Sequence, residues 1–302
     1  MLEFHTLDVF TNKAFTGNPL AVVLGADGLT SAQMLTITRE FNLSETIFVQ
    51  TPDDPSHSAK VRIFHQAGEM PFAGHPTVGC AILLAELANH GDFKTLITLE
   101  EVAGLVPVNV TRSGGNISAE FTAPVIPVIQ NGALIDNADM ARALGLEPAD
   151  IGFNKHKSAV IAGGPEFIFV PLASRTALAA ARVSDPYFAQ ITAAQNCASV
   201  YIYCRDGAGF SARMFAPADG MPEDPATGSA SAIFAAQLLD SGDLSEGENV
   251  FSLTQGVDMG RPSQINLSID VEQGKILAVR IKGSAVRMFM GEIRSLPLAK
   301  SE

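Results

Sequence analysis

The chain has 302 residues, 47% of them hydrophobic and 17% charged, with a formal net charge of −12. That is too long for one ordinary core and suits two domains, and the composition is that of a folded globular protein. The acidity argues against nucleic acid or an anionic membrane as a partner, because no basic face is present to meet phosphate. Three cysteines, Cys80, Cys197 and Cys204, form no CxxC pair, as expected of buried thiols in a reducing compartment. The opening MLEFHTLDVF has neither a basic n-region nor a long apolar segment, and no run reaches the roughly 18 apolar residues of a membrane span. The expected location is the cytoplasm.

Along the chain, FHTLDVF alternates as a strand, TGNPL (16–20) reads as a turn and AVVLGA as a second strand. Thr30 or Ser31 can cap a helix through about Phe41. SETIFVQT (44–51) and AKVRIFHQ (59–66) are strands, PFAGHP a loop, and TVGCAILLAELANHG a buried helix ending at Gly91. LITLEE, LVPVNVT and ISAEFTA follow as strands. From about residue 125 the order begins again. A polar helix near 136–145 precedes strands SAVIAG and FIFVPL, and a helix runs from about Asp185 to Gln195. Then come SVYIYC, FSARMFAP, a loop and an apolar helix at about 228–241. NVFSLT, QINLSID, ILAVRIK and AVRMFMGEI close the chain as strands. This is not a regular βαβ alternation, so a parallel doubly wound sheet is not expected.

The two halves are related. Glu69, Pro71, Gly74, Ala81 and Leu84 fall on Glu223, Pro225, Gly228, Ala235 and Leu238 at a constant offset of 154. Arg62 and Phe64 fall on Arg213 and Phe215 with a shorter offset, and Asn42 falls on Asn196. The expectation is two similar domains with their glycine loops opposed across a cleft. The copies differ in ionisable groups: Glu45 falls on Ser199, His75 on Ser229 and Met70 on Asp224. A scaffold does not need that asymmetry, whereas a cleft handling an asymmetric substrate can use it.

Glycine before a helix lets backbone approach a ligand, and the free N–H groups of the first turn bind anions. Gly74 and Gly228 would thus form two anion cradles able to stabilise enolate-like charge; each also fits a plain tight turn. A carboxylate at the edge of a cleft, Glu45, suits general acid/base work; it could equally close a capping box with Asn42. Asp224 could serve the site or cap the second helix. His75 could relay a proton or be structural. The remaining histidines show no metal-ligand spacing, and HExxH, P-loop, GxGxxG and nucleophile-elbow patterns are absent. No metal or cofactor is expected.

The segments LDVFTNKAFTGNPLAVV, NLSETIFV, VRIF, EMPFAGHPTVG, RMFAP, EDPATGSA and QGVDMGRPS resemble the PhzF-like family, in that family's order and over almost the whole chain. The resemblance implies an α+β fold similar to diaminopimelate epimerase. It would have two pseudo-twofold-related domains, each an antiparallel barrel-like sheet around a central helix. The domains are expected at 1–120, joined by the C-terminal strand 284–302, and at 121–283, with the active-site cleft between them. The resemblance also implies cofactor-free isomerisation of a small unsaturated carboxylic acid, and a homodimer. Glu45 matches the family's acid/base residue, and Gly74, His75, Asp224, Gly228 and Ser229 match its cleft residues. Racemases of this fold place two cysteines where Ala73 and Thr227 stand here, so a two-thiol racemase is not expected. The expected function is a PhzF-like isomerase with Glu45 as proton carrier, His75 and Asp224 assisting, and Gly74, Gly228 and Ser229 holding substrate. The alternative is a non-catalytic small-acid binder that keeps the cleft.

Overall fold

The computed structural model describes residues 1–130 and 135–298. The chain divides into two compact units. The first is Met1–Pro124 with the segment from Lys282 onward, and the second is Val125–Ile281. The first stretch runs β1 (Leu2–Val9), β2 (Asn18–Val23), α1 (Ser31–Phe41), β3 (Glu45–Gln50), β4 (Ala59–His65), β5 (Gly68–Met70), α2 (Gly74–Ala88), β6 (Phe93–Glu101), β7 (Gly104–Ser113) and β8 (Asn116–Thr122). The second runs β9 (Val128–Ile129), α3 (Asn137–Leu144), β10 (Ala159–Ala162), β11 (Glu166–Pro171), α4 (Arg175–Ala180), α5 (Tyr187–Ala194), β12 (Val200–Asp206), β13 (Gly209–Ala216), β14 (Met221–Asp224), α6 (Gly228–Ser241), β15 (Gly247–Gln255), β16 (Ser263–Glu272) and β17 (Lys275–Gly283). The last strand, β18 (Ala285–Ile293), pairs antiparallel with β1.

The architecture is α+β and dominated by sheet. In the first unit β1–β2, β3–β4, β4–β5, β6–β7 and β7–β8 pair antiparallel. Two pairs, β2–β3 and β4–β6, are parallel. The second unit repeats this: β10–β11, β12–β13, β13–β14 and β15–β16 are antiparallel, and β11–β12 and β13–β15 parallel. The sheets are thus mainly antiparallel, as expected, with two parallel pairs in each unit. Each parallel pair spans a crossover that contains helix, as parallel neighbours require.

In each unit one helix sits inside the sheet. α2 touches β1, β2, β3, β6, β7, β8 and β18, and it is buried from Gly74 to Leu83. α6 touches β9, β10, β11 and β16. A helix apolar on every side is stable only when enclosed in this way. Burial of each Val, Ile or Leu on it contributes about 1.5–3 kcal/mol. No helix among the described residues is long and apolar enough to cross a membrane.

Several repeat pairs have a structural cause. Asn42 and Asn196 both hold left-handed backbone, φ 52° and 49°, where asparagine is tolerated better than most side chains. Arg62 grips Glu69 through two nitrogens and lies 5.2 Å over the Phe64 ring; Arg213 grips Glu223 at 2.8 and 2.9 Å and lies 4.9 Å over Phe215. Each clamp fixes the short strand leading into a central helix. The core contact beneath each helix is exchanged between copies. A Cβ on Gly79 would sit 2.8 Å from Val9, and a Cβ on Gly163 would sit 2.7 Å from Ile233. Gly79 falls on Ile233 and Val9 on Gly163 at the same offset of 154. The large residue is on the strand in one unit and on the helix in the other.

Candidate active site

α2 begins at Gly74, three residues earlier than its apolar run suggests, with Ala73 as N-cap. Pro76 falls in the first turn, where its missing N–H removes no helical hydrogen bond. Gly74 and His75 therefore supply first-turn N–H groups with no acceptor inside the helix. The loop before the helix is pinned by the Ala103 N–H donating to the Pro71 carbonyl at 2.9 Å, and by Phe72 packing edge-on to Phe121.

His75 is 4% exposed and Glu45 7%. Nε2 of His75 lies 3.3 Å from Oε2 of Glu45, and Nδ1 lies 3.4 Å from the side-chain nitrogen of Asn18. Burial pushes the imidazole down to about 3, so it is neutral near neutral pH. An amide nitrogen donates, so Nδ1 accepts and Nε2 carries the hydrogen, close to Glu45 Oε2 but not hydrogen-bonded to it. Asn18 opens β2, inside the stretch read as a turn. It is placed by Gly17, whose φ is 72° and whose added Cβ would meet the Val9 carbonyl at 2.4 Å.

The capping-box reading of Glu45 is overturned. Asn42 is the left-handed C-cap of α1, and Glu45 is the first residue of β3. The capping reading of Asp224 is overturned too. Asp224 ends β14 and the N-cap of α6 is Thr227.

In the second unit Asp224 is 4% exposed. Its Oδ2 accepts the Thr227 hydroxyl at 2.6 Å. Gln255 closes the network. Its amide nitrogen donates to Thr227 Oγ1 at 2.9 Å and to the Asp224 carbonyl at 2.8 Å, and its oxygen accepts the Thr227 N–H at 3.1 Å. Gly228 and Ser229 open α6, Gly228 buried and Ser229 half-buried. Glu45, Gly74 and His75 thus gather in the first unit, and Asp224, Gly228 and Ser229 in the second. Asn18, Thr227 and Gln255 escape sequence reasoning as site residues. The legible signal for Gln255 was a polar residue ending an otherwise alternating strand.

Ala73 and Thr227 are the two helix N-caps, so neither unit places a thiol at the mouth of its central helix. All three cysteines are buried, and burial raises every thiol, Cys204 to about 11. None is a reactive thiolate.

Residues 7–291 match the family described as phenazine biosynthesis-like protein. The chain belongs to that family. It is 41% identical over 294 residues to an uncharacterized isomerase of Mesorhizobium japonicum, covering 95% of this chain and 96% of the relative. It is 34% identical to the trans-2,3-dihydro-3-hydroxyanthranilate isomerase of Pseudomonas fluorescens, covering 97% and 99%. Its fold is similar to a crystal structure of a PhzF-family phenazine biosynthesis protein from Bacillus anthracis, with a TM-score of 0.84, 25% identity and coverage of 97% and 98%. The chain is an isomerase of the PhzF type.

Proposed function

We propose that this PhzF-type isomerase moves a proton between two carbons of a small unsaturated carboxylic acid, with Glu45 as the carrier and no cofactor. The reading rests on one observation: the Glu45 carboxylate, buried, within 3.3 Å of a neutral imidazole. The carboxylate takes a proton from one substrate carbon, which leaves enolate-like charge on the substrate. The same carboxyl, its proton exchanging with solvent, then protonates another carbon, so the net change is a shifted hydrogen. The neutral His75 ring lies against the carboxylate and would form the Nε2–H hydrogen bond to it as substrate seats. The N–H groups opening α2 or α6 would take the substrate's carboxylate or developing negative charge, as free first-turn donors do. Asp224, held by Thr227, supplies the second polar anchor, with Ser229 beside Gly228 contacting substrate. The active form is proposed to be a homodimer in the cytoplasm.

The test follows deuterium from D2O into trans-2,3-dihydro-3-hydroxyanthranilate, the compound named for the Pseudomonas fluorescens relative, and into a panel of smaller unsaturated acids. The wild-type protein should label at least one of them at carbon. Glu45→Gln should slow labelling by about 10²–10⁴-fold, the usual contribution of a positioned acid/base group. Equal labelling by the two proteins removes Glu45 from the mechanism. Binding without labelling by the wild type favours the non-catalytic acid binder.

A further inference from the structure

Glu101, the last residue of β6, takes no part in the chemistry above, yet it is 7% exposed. The wall it belongs to is otherwise apolar: β6, β7 and β8 face α2 with Ile97, Leu99, Val106, Val108, Ala119 and Phe121, all buried. Glu101 Oε1 lies 2.7 Å from Thr77 Oγ1, which itself lies 2.8 Å from the carbonyl of Ala73, the N-cap of α2. A hydroxyl has one hydrogen. It cannot be donated at once to the Ala73 carbonyl and to a carboxylate, and both contacts are short. A second hydrogen is needed, and the Glu101 carboxyl is the group able to carry it.

The second unit puts an amide at the equivalent position. At the common offset Glu101 falls on Gln255, Thr77 on Ser231 and Ala73 on Thr227. Ser231 Oγ donates to the Thr227 carbonyl at 2.9 Å, as Thr77 does to Ala73. Gln255 then ties down the start of α6 with N–H groups, donating to Thr227 Oγ1 and to the Asp224 carbonyl. At this position the fold uses a side chain that donates, and an ionised glutamate has nothing to donate.

We propose that Glu101 is a positioning residue held as the neutral acid: its O–H donates to Thr77 Oγ1, the Thr77 hydroxyl donates to the Ala73 carbonyl, and this chain fixes the first turn of α2, where Gly74 and His75 stand. Burial in the apolar wall pushes the carboxyl up to about 8, in accord with the hydrogen count. The polar groups that meet it are the Thr77 hydroxyl and the Cys80 thiol, both on α2. The other titratable groups buried on the helix and on the elements packed against it are His5, Asp8, Glu45 and His75. Asp8 accepts the Phe15 N–H at 2.6 Å. On ionisation the Thr77 hydrogen turns to the carboxylate and the Ala73 carbonyl loses it. The consequence for turnover rests on the isomerase reading; the protonation does not.

Two measurements need no substrate. With glutamate side chains labelled by 13C, one carboxyl in the wild-type protein should remain protonated at neutral pH and titrate near pH 8. In urea unfolding, the wild-type unfolding constant should rise relative to that of Glu101→Gln by about tenfold per pH unit between about pH 5 and 8. The native protein keeps one proton there that the unfolded chain has released. The relative rise should level off above about pH 8. Glu101→Gln supplies the amide that Gln255 already uses, and under the isomerase reading it shifts the alkaline limb of kcat. All glutamates ionised from pH 6 upward, or identical pH dependences of unfolding in the two proteins, overturn the proposal. Should Glu101→Gln not fold, the wild-type titration decides alone. Should none of the acids be labelled by the wild type, the isomerase reading falls while the titration still decides Glu101.

Discussion

His75 is buried as a neutral imidazole, and the stability this confers has a sign and a window. An unfolded histidine takes a proton near 6.5, whereas the folded ring resists it down to about 3. Between those values the unfolded chain binds one proton more than the native protein, so stability rises with pH and is lost as pH falls. From 6.5 to 5 the loss is about 2 kcal/mol at about 1.4 kcal/mol per pH unit. His156 is pushed the same way by burial, and Glu101 acts in the opposite sense above about 4.5. The observable is therefore the difference between the wild type and His75→Gln, in which both other groups cancel. Urea unfolding should be followed by circular dichroism, since the chain has no tryptophan. Between pH 7 and 5 the wild type should lose about 2 kcal/mol more than the variant. Equal losses, or a larger loss in the variant, would show that the ring is charged in the folded protein. The Asn18–His75–Glu45 assignment of hydrogens would then be wrong.

Three further outcomes follow from the same geometry. Gly79→Ala puts a methyl 2.6 Å from Leu20 and 2.8 Å from Val9, and should cost about 1–3 kcal/mol as overpacking; in calorimetry Val9→Ala should recover part of that loss in the double variant. Thr227→Val removes the hydroxyl that donates to Asp224 and accepts from Gln255, and should destabilise by about 1–3 kcal/mol for the buried groups left short. Native protein should resist a thiol reagent at all three cysteines until unfolded; fast modification of any one would reopen thiol chemistry for this chain.

Much of the fold was legible because its signals are long. The Thr30 cap of α1, the strands β6 to β8 and the second central helix all lie where periodicity and capping place them. What was missed was short or atypical. β5 and β9 span too few residues for alternation to show, and α4 is six residues of mostly alanine. The first turn of α2 is Gly-His-Pro, poor helix formers whose cost is met by tertiary packing. Asn18 was hidden for a related reason: the Gly and Pro around it advertise a turn, while the backbone is already strand. Single-residue roles proved ambiguous wherever a capping motif and a site motif use the same residue types. The backbone angle of Asn42 and the partner of Asp224 resolve two such cases, because caps and site ligands differ in geometry where they agree in sequence.

The repeat separates what holds the site from what reacts in it. The Arg–Glu clamps, the left-handed asparagines and the hydroxyl bonded back to the N-cap carbonyl occur in both units with closely similar partners. The clamps and the asparagine turns do not depend on pH near neutrality, whereas the Thr77 bond to the Ala73 carbonyl follows the protonation proposed for Glu101. The differences lie at the mouths of the central helices. One unit has His75 against Glu45, a donor facing a carboxylate across 3.3 Å. The other has Thr227 and Gln255 around Asp224, a network in which the hydroxyl and amide hydrogens are already assigned. The Asp224 carboxylate accepts the Thr227 hydroxyl while the Gln255 amide bonds the Asp224 backbone carbonyl, so both ends of the residue are held in place. The imidazole beside Glu45 is neutral, so it sets no positive charge against that carboxylate. That asymmetry, on two copies of one scaffold, is what the proposed role of Glu45 as proton carrier draws on.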